Sequence, residues 1–164
     1  MWSCCAYAGQ VVSASSDCTL KIWDIEEMCC ESTLRGHSSV VNQVCDLHNG
    51  NNISVSVDCT LKVWDPASWE CVATLEGHYN VVTSCCVLAN GNVVTASYDQ
   101  TLKFWDVEQM MCVRTINDHW YGQFIYCGIA CGYVVAICTD DNNLLISDTH
   151  YTSLYEPLRG TQLM

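Results

Sequence analysis

Near the middle of the chain lies the octapeptide Asp58-Cys59-Thr60-Leu61-Lys62-Val63-Trp64-Asp65. Close copies occupy residues 17–24 and 99–106, and each copy lies 41 residues from the next. A pattern that recurs at one spacing near forty residues is typical of repeat architectures, in which every repeat is one supersecondary unit. The octapeptide therefore predicts that the chain is an array of similar units.

Each unit is predicted to contain four short strands. Apolar and polar residues alternate through the octapeptide after its turn aspartate, which predicts a strand entered from a tight turn. Residues 53–56 predict a strand before it, and the hairpin signal at residues 49–51 precedes that strand. Apolar residues 40–45 and 71–75 predict an innermost and an outermost strand on either side.

The repeats also carry two dipeptides at fixed positions. These are Gly-His at residues 36–37 and 77–78, and Trp-Asp at residues 23–24, 64–65 and 105–106. In these motifs and in its repeat length the chain resembles the WD-repeat family of β-propellers. The resemblance implies an all-β fold built from four-stranded antiparallel blades.

Four blades are expected within one domain, residues 1–164. Their approximate bounds are residues 2–34, 39–75, 80–116 and 122–158. Blade 4 departs from the pattern, because Ser147 stands where the other blades have tryptophan. Rings of this family usually have about seven blades, so the resemblance implies an open arc or partial propeller. A fragment of a longer protein, one half of a dimeric ring and a compact four-bladed closure all stay open.

The resemblance further implies a buried hydrogen-bond network in each blade. It joins a histidine, a serine or threonine late in the second strand, the turn aspartate and the tryptophan, whose donors and acceptors match. Carried over residue by residue, the network comprises His37, Ser56, Asp58 and Trp64 in blade 2, and His78, Ser97, Asp99 and Trp105 in blade 3. Blade 1 retains Ser15, Asp17 and Trp23, and blade 4 retains His119, Thr139 and Asp141.

Serine, histidine and aspartate also form nucleophilic triads, which makes an enzyme the competing interpretation. A catalytic set normally occurs once in a domain, whereas this set recurs from repeat to repeat. The sequence contains neither a nucleophile-elbow nor an oxyanion-hole motif. We therefore expect no enzymatic activity, no catalytic residue and no cofactor.

The chain has 14 cysteines, of which Cys4, Cys45, Cys86 and Cys127 are spaced by one repeat. Equal spacing suggests equivalent positions in successive blades, so we expect small buried hydrophobic residues rather than disulfides. No Cys-x-x-Cys pair is present, and metal ligands would have to converge from different blades. The sequence therefore predicts no metal site.

The charge balance disfavours two classes of partner. The formal net charge is −12, and the three lysines occupy one repeat position, so no basic patch forms. Nucleic acid and anionic membrane surfaces are therefore unfavourable partners. We expect no secretory signal, since residues 1–4 lack a basic segment, and the longest apolar run is shorter than the roughly 20 residues of a spanning helix. We expect a cytoplasmic protein, with a nuclear location left open.

Residues beside the histidine loop and the aspartate turn lie on one rim of a propeller, through which this family typically binds partners. The corresponding residues here are Ser16, Ser39, Val57, Tyr79, Tyr98, Asp118, Trp120, Tyr121 and Asp140. Tyrosine and tryptophan are favoured interface anchors. The resemblance therefore implies a protein–protein interaction scaffold or adaptor whose rim binds a basic and apolar peptide or protein. The alternative is a structural piece that completes a larger ring with other chain segments or with a second copy in a homodimer.

Overall fold

A computed structural model describes residues 3–7, 9–117, 124–130, 133–138 and 144–148 of the chain. Within these residues every regular element is a β-strand, and the strands form separate antiparallel sheets. No helix in this part of the chain could span a membrane. The prediction of an all-β fold is confirmed.

The strands follow one another in sequence within each sheet. Blade 1 contains β1 (Ser3–Tyr7), β2 (Gln10–Ala14), β3 (Thr19–Asp24) and β4 (Cys29–Arg35). Blade 2 contains β5 (Val41–Asp46), β6 (Asn52–Ser56), β7 (Leu61–Asp65) and β8 (Glu70–Leu75). Blade 3 contains β9 (Val82–Val87), β10 (Val93–Ser97), β11 (Thr101–Asp106) and β12 (Met111–Asn117).

The fourth sheet has three described strands, β13 (Phe124–Ala130), β14 (Tyr133–Cys138) and β15 (Leu144–Asp148). The outermost strand expected at residues 153–158 lies outside the described residues. The first strands of successive sheets lie side by side, because β1 contacts β5, β5 contacts β9 and β9 contacts β13. In the described part of the chain the sheets thus form an open row, which is a partial β-propeller.

The hydrophobic core lies between neighbouring sheets rather than inside any one of them. Trp64 of blade 2 packs in one buried cluster with Leu20 and Ile22 of blade 1. In the same way Trp105 of blade 3 packs against Leu61 of blade 2 in the next cluster. One face of blade 1 and one face of blade 2 therefore cover the tryptophan of the blade that follows.

The hairpins between the first and second strands differ in length. Two residues separate Tyr7 from Gln10, whereas five residues separate Asp46 from Asn52. The longer loop contains Gly50 at a φ of 89°, a backbone conformation that favours glycine. This loop falls at the hairpin signal that the sequence shows at residues 49–51.

The register that these hairpins set corrects one expectation about the cysteines. Cys5, Cys45 and Cys86 occupy equivalent positions, judged by the residues with which they pair in the second strands. Cys4 precedes Cys5 by one residue, so it lies on the opposite face of its sheet. The prediction that Cys4, Cys45 and Cys86 share one layer is therefore wrong, because the hairpin of blade 1 is shorter.

Burial of the cysteines also differs from the expectation. Among the described residues only Cys85 and Cys127 are buried, while Cys4, Cys30 and Cys71 are exposed. Cys30 and Cys71 lie on outermost strands, which no further strand covers in the described sheets. The cysteines are thus not uniformly small core residues.

Candidate functional site

Blade 2 contains a continuous chain of hydrogen bonds from its tryptophan to its turn aspartate. The Trp64 indole Nε1–H donates to Ser54 Oγ over 2.8 Å, and Ser54 Oγ lies 2.8 Å from His37 Nε2. His37 Nδ1 lies 2.8 Å from Asp58 Oδ2. Because the indole only donates and the carboxylate only accepts, the serine hydroxyl donates to Nε2 and the Nδ1–H donates to the aspartate. The network thus assigns a neutral histidine.

Blade 3 repeats this arrangement with threonine in place of serine. The Trp105 indole donates to Thr95 Oγ1 over 2.8 Å, and Thr95 Oγ1 lies 2.7 Å from His78 Nε2. His78 Nδ1 lies 2.7 Å from Asp99 Oδ2. Either hydroxyl residue can accept from the indole and donate to the imidazole, so the two blades satisfy the same buried groups.

The turn aspartate also organises the backbone around it. Thr60 donates to Asp58 Oδ1 through its backbone N–H at 3.0 Å and its hydroxyl at 2.7 Å. The backbone N–H of Ser38 donates to Asp58 Oδ2 over 2.9 Å. Burial alone would raise the pKa of Asp58, but hydrogen bonds from Thr60, His37 and Ser38 outweigh it and lower the pKa to about 2. The carboxylate therefore stays ionised.

The serine that completes the network differs from the expected one. Ser56 does not bridge His37 and Trp64, since its hydroxyl donates to Val40 O over 2.9 Å and accepts from the Asp58 N–H over 3.1 Å. The assignments of Ser56 and Ser97 are therefore wrong, and Ser54 and Thr95 take their places. The reason is distance, because residues two apart in a strand are separated by roughly 6.6 Å.

Ser97 has the same role as Ser56, since its hydroxyl donates to Asn80 O over 3.1 Å and accepts from the Asp99 N–H over 3.0 Å. These end-of-strand serines fix the turn against the loop that precedes the first strand. A sequence signal for the bridging hydroxyl does exist, because a serine or threonine precedes each tryptophan by ten residues in all three blades.

Blade 1 has a shorter version of the network. The Trp23 indole donates to Ser13 Oγ over 2.8 Å, so Ser13 takes the place expected for Ser15. Asp17 is exposed, and it accepts from the Thr19 N–H and hydroxyl at 3.1 and 2.6 Å. In blade 4 the expected residues His119, Thr139 and Asp141 lie outside the described residues.

The closed geometry of the network suits structural support rather than reaction with a substrate. Ser54 is fully buried, and its oxygen already accepts one hydrogen bond and donates another. Burial lowers the pKa of His37 and keeps the ring neutral despite the opposing effect of Asp58. Within the residues that the structure describes, no group of three histidine, cysteine or acidic side chains could hold a metal ion.

We define the histidine rim as the connections at residues 15–18, 36–40, 57–60, 76–81 and 98–100, which share one end of the sheets. Its most exposed large hydrophobic residue is Tyr79, at 89%. The backbone N–H of Tyr79 donates to the network carboxylate of Asp99 over 3.0 Å. The hydrogen-bond network of blade 3 therefore fixes the backbone of Tyr79, whose side chain is exposed to solvent.

The other expected rim residues vary in their surroundings. Ser16 is exposed, whereas Ser39, Val57 and Tyr98 are half-buried. The Tyr98 N–H donates to Val81 O over 3.0 Å, which joins its turn to the loop before β9. The remaining expected rim residues, Asp118, Trp120, Tyr121 and Asp140, lie outside the described residues.

A groove of about 460 Å³ opens at the opposite end of the sheets, between blades 2 and 3. The hairpin loops supply His48 and Asn90 to its lining, and the turn after β11 supplies Glu108. His48 and Glu108 are exposed, and the lining mixes polar and apolar groups. This groove offers a control surface for any test of the histidine rim.

Comparison with known proteins agrees with this architecture. A family model described as "WD domain, G-beta repeat" matches residues 2–24, 28–65 and 69–106. Each matched segment ends on a Trp-Asp pair, and together they cover more than half of the chain. No curated protein matches the chain. The chain therefore belongs to the WD-repeat family.

Proposed function

We propose that this chain is a non-catalytic scaffold or adaptor whose histidine rim binds a peptide or protein of basic and apolar character. WD-repeat domains generally mediate protein–protein interaction. The observation that carries the proposal is Tyr79, which is 89% exposed and whose backbone N–H is held by the half-buried Asp99 carboxylate. An aromatic ring on a fixed backbone loses little conformational entropy on binding, which suits an interface anchor.

The charge of the chain supports a basic partner. The formal net charge is −12, and exposed Asp17 lies on the histidine rim. Opposite charges accelerate encounter and disfavour wrong partners more than they add to affinity. The apolar part of the recognition rests on Tyr79 and on half-buried Tyr98 of the same blade.

The test is selection of peptides from a random displayed library on the immobilised full chain. We expect selected peptides to be enriched in lysine or arginine together with apolar residues. Replacing Tyr79 by alanine should weaken the binding of these peptides about tenfold or more, as expected for an aromatic anchor. Met28→Ala is the matched control, because Met28 is 86% exposed in a turn at the opposite end of blade 1.

The proposal fails if Tyr79→Ala and Tyr98→Ala together leave peptide binding unchanged. It also fails if His48→Ala, in the opposite groove, removes binding while the tyrosine variants retain it. Circular dichroism of each variant separates loss of a contact from loss of the fold.

A specific observation favours a second function, completion of a larger ring. Trp23 is 37% exposed, whereas Trp64 and Trp105 are each 1% exposed beneath the preceding blade. We propose that this face of blade 1 packs against a further blade, supplied by a longer chain or by a second copy. If a second copy supplies the blade, sedimentation of the purified chain of 18.3 kDa should show a dimer that Trp23→Ala weakens. A monomer at all concentrations would leave only the longer chain as the source.

For the location in the cell we propose the cytoplasm, with the nucleus left open. The support is the number of cysteines, since free thiols persist in reducing compartments. Imaging of a fluorescent fusion tests this proposal, and a secreted or membrane-bound fusion would contradict it.

A further inference from the structure

Two cysteines meet across the boundary between blades 2 and 3. Cys45 lies on β5 and Cys85 lies on β9, the adjacent first strands of their sheets. Their Sγ atoms are 3.4 Å apart, and Cys45 Sγ also lies 3.6 Å from the backbone carbonyl oxygen of Cys85. A disulfide has a sulfur–sulfur distance of about 2.05 Å, so the two atoms need to approach by only about 1.3 Å.

Gln43 contacts the Cys45 thiol and the backbone of Cys85 from one side. Its Nε2–H donates to Cys45 Sγ over 3.4 Å, and its Oε1 accepts from the backbone N–H of Cys85 over 2.9 Å. A single amide therefore contacts both partners across the blade boundary. The same contact places a donor next to Cys45, which favours the negative charge of a thiolate.

The pKa values of the two thiols are shifted in opposite directions. A hydrogen bond from Cys85 lowers the pKa of the Cys45 thiol, against the effect of burial, and Cys45 is half-buried. The same hydrogen bond and full burial raise the pKa of the Cys85 thiol. Because the thiolate is the nucleophile, Cys45 is suited to meet a small oxidant, and Cys85 is suited to resolve the product.

We propose that Cys45 and Cys85 form an oxidisable dithiol that a peroxide converts to a disulfide joining blades 2 and 3. The Cys45 thiolate attacks one peroxide oxygen of hydrogen peroxide, and hydroxide leaves to give a sulfenic acid. Cys85 sulfur then attacks Cys45 sulfur, its proton passes to the departing hydroxyl, and water leaves. In total two thiols are oxidised by two electrons, and one peroxide is reduced to two waters.

Other cysteines of the described chain are less suited to this reaction. Cys86 contacts Cys127, but this contact and burial raise the pKa of Cys86, whereas the pKa of Cys45 is lowered. Cys30 and Cys71 are exposed, but their sulfurs contact the hydroxyls of Thr33 and Thr74, whereas Cys45 contacts a second thiol. Cys45 thus combines a neighbouring thiol with a lowered pKa at a half-buried position.

The modification would fasten two sheets that otherwise meet only through packing and hydrogen bonds. A disulfide restricts the unfolded chain, and its loop here runs from residue 45 to residue 85. We expect oxidation to raise the thermal midpoint by about 5–10 °C in the absence of reductant, and dithiothreitol to reverse the shift.

The test uses the full chain, reduced, freed of reductant and then treated with hydrogen peroxide at neutral pH. After alkylation, digestion with trypsin without reduction should yield peptide 36–62 linked to peptide 63–103. Two of the 14 thiols should be lost. No link between these peptides, or a link without loss of two thiols, would overturn the proposal.

Serine variants locate the bond, because peptide 36–62 also holds Cys59 and peptide 63–103 also holds Cys71 and Cys86. Cys45→Ser and Cys85→Ser should each abolish the link, whereas Cys86→Ser should retain it. Gln43→Leu should slow its formation. A link that survives in Cys45→Ser would overturn the assignment.

The roles of the two cysteines are tested by trapping the sulfenic acid with a dimedone probe. Cys85→Ser should accumulate the probe on Cys45, because the resolving thiol is absent. Probe found on Cys85 in Cys45→Ser, with none on Cys45 in the other variant, would contradict the order of the steps. Serine differs from cysteine by one atom, and circular dichroism checks that the variants fold.

Discussion

Blades 1 and 2 each contain a hydrogen bond from the tryptophan indole to a serine, but the surroundings of the two bonds differ. The indoles of Trp23 and Trp64 each donate to a serine hydroxyl over 2.8 Å. Trp23 is nevertheless 37% exposed, and Trp64 is 1% exposed because blade 1 packs over it. The geometry inside a blade is thus local, whereas the burial of its tryptophan depends on the preceding blade.

The same comparison extends to the turn aspartates. Asp58 is hydrogen-bonded to His37 and lies largely beneath the histidine loop. Asp17 is exposed, and its pKa is lowered chiefly by the hydrogen bond from the Thr19 hydroxyl. In blade 2 the histidine therefore connects the turn aspartate to the serine and the tryptophan, a connection that the turn of Asp17 does not have in the described part of blade 1.

The largest difference is expected from removal of the two tryptophans. Trp64→Ala should lower the free energy of unfolding by about 3–5 kcal/mol, because it empties a buried site between two blades. Trp23→Ala should cost roughly half as much or less, because its ring is already partly in water. Urea unfolding of both variants measures the difference, and equal losses would contradict the role assigned to the preceding blade.

Replacement of the aspartates should give the next largest difference. Asp58→Ala leaves the His37 Nδ1–H, the Ser38 N–H and the Thr60 hydroxyl without their acceptor, at a cost of about 2–3 kcal/mol. Asp17→Ala should lower the melting temperature much less, because water can replace the exposed carboxylate. Melting curves that coincide for the two variants would refute the network of blade 2.

The two serines of β6 should differ in their contribution to stability within a single blade. Ser54→Ala removes the bridge between the indole and the imidazole, so we expect a loss of about 2 kcal/mol in the free energy of unfolding. Ser56→Ala should cost about 1 kcal/mol, because it removes bonds to the backbone at the sheet end. Chemical denaturation measures both losses. A larger loss for Ser56→Ala than for Ser54→Ala would favour Ser56 as the serine of the network.

A change of pH is expected to have the smallest effect on the free energy of unfolding. Both His37 and Asp58 have lowered pKa values in the folded state, so protonation of either favours unfolding. The contribution of His37 should decline as the pH falls below about 6.5, and that of Asp58 as the pH falls from about 4 to 2. After allowance for screening by solvent, we expect about 1 kcal/mol for Asp58.

The measurement is the free energy of unfolding of the wild type and of Asp58→Asn across this pH range. The variant should lose the part of the decline that lies below pH 4 and keep the part near pH 6. If the free energy of unfolding of the wild type rises as the pH falls, the predicted direction is wrong.

Much of the fold follows from the sequence, because its signals are local. The alternation within the octapeptide predicts β7, and the spacing of 41 residues transfers that prediction to β3 and β11. The resemblance to the WD-repeat family, carried over to His37, Asp58 and Trp64, likewise anticipates that the structure brings them into one network.

The predictions that are wrong concern residues whose partner or face depends on the register of the strand. Ser54 and Ser56 lie on the same face of β6, so alternation cannot tell which one meets the imidazole. Cys4 and Cys45 occupy the same place in the repeat but opposite faces, because the hairpin of blade 1 is shorter. A one-residue change in register reverses every side chain of a strand. Contacts between blades, such as Cys45 with Cys85, require both registers to be known.

The most direct test of the dependence on the preceding blade is hydrogen exchange at the indole N–H groups, followed by NMR in deuterated water. Resonances of Trp23, Trp64 and Trp105 are assigned by single substitution to phenylalanine. We predict slow exchange for Trp64 and Trp105 and exchange at least tenfold faster for Trp23, since protection follows burial. Equal rates at all three indoles, or faster exchange at Trp64 than at Trp23, would contradict the account.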